Sequence, residues 1–401
     1  MQSKQKVDYE FIIIMALLMS LVAFSIDAIL PALTIIGLEF QVSNPNHSQL
    51  LVSGIFLGLS CGVMVYGPLS DTYGRKKIIY LGIFFFVLGN LISLLTTNFK
   101  ILVLSRVLQG FGVASCRIVS LTMIRDKFSG PEMAKIMSLI MMFFILVPTV
   151  APLIGTIVLM YSSWRAIIVL SIILALIGAV WLAIRQKETL KTEDRVSLSF
   201  KTIWKGVVET VSNARTRVFT LAAGLISGAF IGYLSSSQQI FQIQYGLGDQ
   251  FSLYFGVLAL VLGVSSYINA KLVMKFQIEK ICLFALSTIT ISSFGFLLFS
   301  KSISNQPPLY LLMFYLSIIL FCLGMTFGNF NTLAIEPLGH IAGVANSVIS
   351  SVQTFISVGL GAGIGYLYDG TIIPLCSGFL ILGLISSLLM IFKIFNKSKT
   401  A

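Results

Sequence analysis

The run Gly67-Pro68-Leu69-Ser70-Asp71-Thr72-Tyr73-Gly74-Arg75-Lys76-Lys77 is short, charged and rich in turn formers, and it joins two long apolar stretches at about 48–68 and 78–97. Each stretch is close to the 20 or so residues a helix needs to cross a bilayer. Gly67 and Gly74 permit tight turning and close approach. Asp71 ends a span, where it can face a neighbouring helix N-terminus, and Arg75, Lys76 and Lys77 are placed to meet lipid headgroups. Such a set is suited to latch two helical halves and release them during gating. Three basic residues alone would read as an ordinary positively charged loop; both glycines and the aspartate together favour the latch.

Outward from this loop the same pattern continues. Twelve spans are expected, at roughly 11–33, 48–68, 78–97, 100–124, 134–160, 164–185, 217–243, 249–271, 281–300, 308–333, 341–367 and 371–393. The composition agrees: 57% of the 401 residues are hydrophobic and only 10% charged. A soluble surface needs about a quarter to a third charged residues, so a soluble globular enzyme is excluded. So much apolar surface equally excludes disorder. Lys4 and Lys6 before the first span resemble the start of a signal peptide, but eleven spans follow and the run passes Pro31.

Orientation follows from Lys and Arg. With the N-terminus in the cytoplasm, 22 of the 27 basic residues fall on the cytoplasmic side and 3 (Lys100, Arg165, Lys301) opposite, while Arg106 and Arg117 lie within spans. This also accounts for the net charge of +12 by anionic lipid rather than nucleic acid. Residues 1–10 and 394–401 are expected as cytoplasmic termini, 11–185 and 217–393 as two six-helix bundles, and 186–216 as a cytoplasmic linker. The linker holds an amphipathic pattern, Leu198, Ile203, Trp204, Val207, Val208 and Val211 against Lys201, Lys205 and Glu209, suited to the inner membrane surface. A faint repeat of the 68–78 loop recurs at 271–281, without its aspartate and glycine. Six plus six spans with repeated halves is the plan of many secondary transporters, whose site lies near the midplane between repeats. The expected fold is an all-α membrane protein of two pseudo-symmetric bundles.

Chemistry of other kinds finds no support. Cys61, Cys116, Cys282, Cys322 and Cys376 form no CxxC pair, and His47 and His340 lie far apart, so neither a metal site nor a cofactor is expected. A P-loop and HExxH are both absent from the sequence.

Gly67-x-x-x-Asp71-x-x-Gly74-Arg75-Lys76-Lys77 resembles the signature loop between helices 2 and 3 of the major facilitator superfamily, with Thr72 where a basic residue is usual. Asp27-Ala28-Ile29-Leu30-Pro31-Ala32-Leu33 and Arg106-Val107-Leu108-Gln109-Gly110-Phe111-Gly112, with Arg125-Asp126 later, are similar to first- and fourth-helix motifs of its Bcr/CflA multidrug efflux group. Ala151-Pro152-Leu153-Ile154-Gly155 resembles the antiporter motif of helix 5, although Thr156 replaces a second glycine and Val147-Pro148 stands where Gly-Pro is common. The resemblance implies the major facilitator fold, proton-driven export of small molecules, a bacterial inner-membrane location and a monomer.

The charges inside spans carry the functional expectation. Asp27 lies about 24 Å along its span and Arg106 about 9 Å from the outer end of its own, nearly the same depth in a core of about 30 Å. Desolvation disfavours a carboxylate and a neighbouring guanidinium favours it. Asp27 is therefore expected to couple protons with Arg106 as its partner; a static ion pair is the alternative. Arg117 either points into the cavity, repelling cations or holding an anionic group, or snorkels to the inner surface. Gln109, Gln238, Gln242 and Asn331 are expected on the substrate cavity, with helix-to-helix glue as the other reading for such amides. Pro148, Pro152 and Gly155 are spaced to bend a gate helix, and Glu336 either caps a turn or joins a cytoplasmic gate. The expected activity is proton-coupled efflux of small amphipathic compounds. A transporter of one metabolite or siderophore, a passive channel and a membrane receptor remain as alternatives.

Overall fold

The computed structural model describes residues 9–128, 130–195, 200–303 and 306–398, and among them every regular element is helical. The N-terminal half holds α1 (Tyr9–Asp27), α2 (Leu33–Glu39), α3 (Leu50–Tyr73), α4 (Arg75–Leu95), α5 (Phe99–Lys127), α6 (Gly130–Tyr161) and α7 (Trp164–Arg185). A linker helix α8 (Phe200–Ser212) follows. The C-terminal half holds α9 (Ala214–Gln238), α10 (Phe251–Leu272), α11 (Ile278–Ser302), α12 (Leu309–Ile335), α13 (Ala342–Tyr366) and α14 (Ile373–Ser398).

Ten helical stretches among the described residues are long and apolar enough to cross a membrane. One of them, Leu309–Tyr366, contains both α12 and α13, and α6 contributes the shorter apolar stretch Leu146–Tyr161. The twelve expected spans are thus all present, the first made of α1 and α2 together. Phe84, Leu104, Ile291 and Phe314 are exposed on the outside of the bundles, as a lipid-facing surface requires.

The two halves repeat one packing plan. In the first, α3 and α4 pack on α5, α1 on α6 and α4 on α7; in the second, α10 and α11 pack on α12, α9 on α13 and α11 on α14. The halves meet through α3 against α13 and α6 against α10. Lipid gives helices no hydrophobic reason to associate, so close backbone approach matters more. At Gly58 an added Cβ would strike the Val107 carbonyl on α5, and at Gly110 it would strike Ile55 on α3. These two glycines set how near α3 and α5 lie.

Span ends differ from the sequence reading where polar groups continue a helix. The first span reaches Glu39, not residue 33, and is broken on the way. α1 stops at Asp27 because Pro31 has no N–H to return to the Asp27 carbonyl. A 3-10 turn at Leu30–Ala32 bridges to α2. The seventh span ends in a π-helical turn at Gln239–Gln244. α8 forms as the linker pattern predicts, with Trp204, Val208 and Val211 exposed and Gly206 against Val344 of α13. Leu198 lies outside the described residues.

Candidate functional site

The break in the first span puts Asp27 on the wall of a cavity of about 300 Å³ between the halves. Phe56, Pro148, Phe230, Tyr233, Phe255 and Phe327 form much of the remaining wall, with Arg117 and Gln353. The rings are organised: Tyr233 stacks on Phe255 at 5.9 Å between centroids, and Phe230 meets Phe327 edge-on at 5.4 Å. Asp27 is 4% exposed, while Arg117 keeps an exposed surface. The Tyr233 hydroxyl is buried and has no hydrogen-bond partner. A buried hydroxyl in that condition is usually satisfied by something not fixed in the protein.

Arg106 is not the ion-pair partner of Asp27, which corrects the sequence expectation. Its Nη2 donates to the Ser25 carbonyl at 2.6 Å, its Nε to the Leu51 carbonyl at 3.2 Å and its Nη1 to Gln109 Oε1 at 2.6 Å. Among the described residues no ion pair joins Arg106 to Asp27. The reason is the break itself. Ser25 lies in the last turn of α1, where carbonyls lack helical partners and the helix end is partially negative. A guanidinium at the same depth caps that end. Depth was therefore read correctly and the acceptor was not. Gln109 is corrected too: it is fully buried behind the cavity and donates to Ser93 Oγ at 2.7 Å and the Gly89 carbonyl at 3.2 Å. Arg106 and Gln109 together tie α1, α3, α4 and α5.

Gln238, Gln242 and Asn331 also lie off the cavity wall. Gln238 donates to Thr34 Oγ1 and to Gln242 Oε1, both at 2.6 Å. Gln49 donates to the Gln239 side chain, and Gln239 Nε2 donates to Asn46 Oδ1 at 2.9 Å. Asn46 Nδ2 in turn reaches the Tyr366 and Tyr368 carbonyls at 2.9 and 2.7 Å. The amides thus join the two halves at the end opposite Gly74. Asn331 donates to Asn346 at 3.2 Å, linking α12 to α13. Sequence reasoning gave these amides the right chemistry and the wrong neighbours, because which face of a span meets the other half is a tertiary fact.

The clasp yields a prediction. It is held by neutral hydrogen bonds, each worth about 0.6–2 kcal/mol in a membrane protein. The Gln239→Leu variant is expected to shift the population toward states open at that end. Cysteine placed at Ser53, buried beside Asn46 and Gln49, should then react with an impermeant thiol reagent several-fold faster than with Gln239 in place, and an unchanged rate would remove the clasp from gating.

α6 supplies Pro148 to the wall, and its other motif residues make joints. A Cβ at Gly155 would strike the Ala28 carbonyl, so glycine lets α6 press against the break beside Asp27. The Ser252 hydroxyl of α10 donates to the Pro152 carbonyl at 3.0 Å and pairs with Thr156 Oγ1 at 2.6 Å. That joint crosses the halves.

At the Gly74 end, the signature loop forms a network within one half. Gly74 holds φ +103, a conformation that favours glycine. Arg75 bonds Asp71, donates through Nε to Asp126 Oδ2 at 2.9 Å and through Nη1 to Ser70 Oγ at 2.9 Å. Glu188 accepts the Arg75 and Lys76 backbone N–H groups at 3.0 and 3.1 Å, placing a carboxylate at the N-terminus of α4. Lys76 Nζ donates to the Gln186 carbonyl at 2.6 Å, and Lys77 is exposed. The expected latch between halves is therefore, in this state, a clamp on α3, α4, α5 and the start of the linker. Gly67 faces the other half, where an added Cβ would lie 3.0 Å from Ser347 Oγ. Glu188, some 110 residues from the loop, was invisible to any local motif. Glu336 pairs with Arg215 at 2.7 Å, and Arg215 also holds Glu279 at 3.2 Å. This ties α9, α11 and the turn after α12 within the C-terminal half, so Glu336 acts as a turn anchor here and not as a link across halves.

The chain is similar to transporters over nearly its whole length. It is 29% identical to the uncharacterized MFS-type transporter YdgK of Bacillus subtilis over 367 residues, covering 91% of this chain and 90% of that protein. It is 27% identical to a bicyclomycin resistance protein homolog of Haemophilus influenzae over 389 residues, 93% of each. The crystal structure of a D-xylose–proton symporter superposes with a TM-score of 0.75 at 13% identity, covering 96% of this chain and 97% of the other, and this shows a shared fold. The family model described as Major Facilitator Superfamily matches residues 15–362, and the chain belongs to that superfamily.

Proposed function

We propose that the protein is a proton-coupled exporter of small amphipathic compounds, working by alternating access. The observation that carries this reading is Asp27: an ionisable carboxyl on the wall of the cavity between halves, with no cation locked to it among the described residues. Its charge state can then follow whichever side of the membrane the cavity faces. An aromatic wall with few polar groups supports amphipathic ligands. The named resistance protein of Haemophilus influenzae supports the direction of transport.

In this reading, residues 11–185 and 217–393 are the rocking bundles and 186–216 the cytoplasmic linker. Both termini face the cytoplasm of a bacterial inner membrane, following the distribution of Lys and Arg. The amide clasp closes the outer end, and the cavity is complete within one chain, so a monomer suffices.

Everted membrane vesicles test the function. A fluorescent amphipathic compound is expected to accumulate when an inward-acid gradient is imposed and to leak out when a protonophore collapses it. Accumulation indifferent to the gradient would instead mark a passive pore or a carrier driven otherwise.

A further inference from the structure

The linker helix α8 presents three faces. Gly206 and Thr210, one turn apart, are buried against the C-terminal half. A Cβ at Gly206 would lie 2.8 Å from Val344 Cγ1 on α13, so glycine sets that close approach. Trp204, Val208 and Val211 follow at i, i+4 and i+7, form a separate apolar stripe, and are all exposed. Lys201 and Lys205 flank the stripe on its side away from the buried face, and both are exposed. Glu209, the one acid of α8, lies beyond the lysines and bonds His340 Nε2 at 2.7 Å. The single apolar face read from the sequence is thus divided, with half-buried Val207 between the part that grips protein and the part that looks outward.

The chain fixes the height of the outward stripe. α8 ends at Ser212, and the Asn213 side chain caps the next helix by accepting from the Arg215 and Thr216 N–H groups at 3.0 Å each. That helix, α9, is a membrane span. α8 is therefore held at the headgroup level of the leaflet on the Gly74 side. There an exposed tryptophan with valines suits the acyl boundary, and lysines beside them suit phosphates. Two lysines on the flank of the stripe favour an anionic lipid over a neutral one. A stripe about 10 Å long is too small for a stable protein interface.

α13 connects this seat to the seam between halves. Val344 lies in the first turn of α13, and Ser347, three residues on, faces Gly67 of α3 across the seam. α8 thus grips α13 one turn from where the halves meet. When the halves rock, α13 tilts and carries α8 with it, so the stripe fits the leaflet better in one state than in the other. A ligand that binds one state better shifts the balance toward it.

We propose that α8 is a lipid-sensing helix. Trp204, Val208 and Val211 seat in the acyl boundary, Lys201 and Lys205 bind anionic phospholipid headgroups, and the contact of Gly206 with Val344 lets the seat bias closure of the seam at Gly67. The seat stands apart from the function proposed above; the bias rests on its alternating-access reading.

Nanodiscs holding one protein molecule each, in phosphatidylcholine with one fifth phosphatidylglycerol, test the seat. Bromine is placed on the acyl chains either of the phosphatidylglycerol or of an equal amount of phosphatidylcholine. Trp164 and Trp181 also emit, so the Trp204 signal is the difference between wild type and Trp204→Phe. That signal should be quenched several-fold more strongly by the brominated anionic lipid, and the double variant Lys201→Gln, Lys205→Gln should quench equally with both. A Trp204 signal quenched by neither lipid removes the membrane as occupant, and equal quenching in wild type removes the anionic preference; either overturns the proposal, and both are read without the lysine variant. The bias is read in discs with and without phosphatidylglycerol, from the reaction of a cysteine placed at Ser347 with an impermeant thiol reagent, corrected for the native cysteines. The rate should change at least about threefold with the anionic lipid and respond little in the lysine variant. A rate that ignores the lipid, or responds equally in both proteins, overturns the bias. Neither readout needs transport, so a protein that passes both and fails the vesicle experiment would refute proton-driven efflux and leave the lipid assignment standing.

Discussion

Replacing Asp27 by Asn is expected to abolish proton-driven accumulation, by roughly two orders of magnitude, while leaving the protein folded. The side chain keeps its shape but can no longer take and release a proton. Asp27 sits on the cavity wall at the end of α1 and makes no ion pair among the described residues. Removing its charge therefore breaks no salt bridge, and thermal unfolding in detergent should change little. Counterflow of substrate without a gradient should survive, since it needs only the cavity and its motion. Asp27→Glu should keep measurable coupling, because the carboxyl is retained. The decisive measurement is accumulation against imposed pH in vesicles. Asp27→Asn retaining wild-type accumulation and pH dependence would remove Asp27 from the coupling role.

Arg106→Leu is expected to have the second large effect, on stability as well as transport. The substitution strips donors from the Ser25 and Leu51 carbonyls and from Gln109 Oε1. A buried acceptor left unsatisfied costs about 1–3 kcal/mol. Relief of the buried charge offsets part of that, and a net loss of about 2–4 kcal/mol remains by the same reckoning. Arg106→Lys should rescue little, because one ammonium cannot reach three acceptors on α1, α3 and α5 as a planar fork does. Denaturant unfolding in mixed micelles measures the loss. An Arg106→Leu protein as stable as wild type would show that these carbonyls find other partners.

These two residues show how far the sequence could be read. Both are ionisable groups inside apolar runs, and that alone marked them. Their common depth was also legible, since residue count fixes height along a helix. Their relation was not. The acceptor of Arg106 is a main-chain carbonyl, which every residue carries, and it became available only because α1 stops at Asp27. Pro31 signalled that stop, yet its consequence for Ser25 depended on α5 lying alongside. Gln238 and Gln242 show the same limit from another side. Their place near the end of a span is a matter of residue count, but only the packed halves reveal that they lie at the clasp and not on the cavity wall. Arg117, read as facing either a cavity or the membrane surface, proves to line the cavity.

By itself the sequence determined the number of spans, the two halves, the turn at Gly74 and the presence of charge within the membrane. Those are properties of stretches of about 20 residues or fewer, and transfer from water into lipid acts on each stretch separately. Only the tertiary structure decided the partners: Glu188 on the N-terminus of α4, Arg106 on the Ser25 carbonyl, and Gln239 clasped to Asn46. Hydrogen-bond donors and acceptors are everywhere along a chain, and which of them meet is set by how closely glycine-faced helices pack and by where they break.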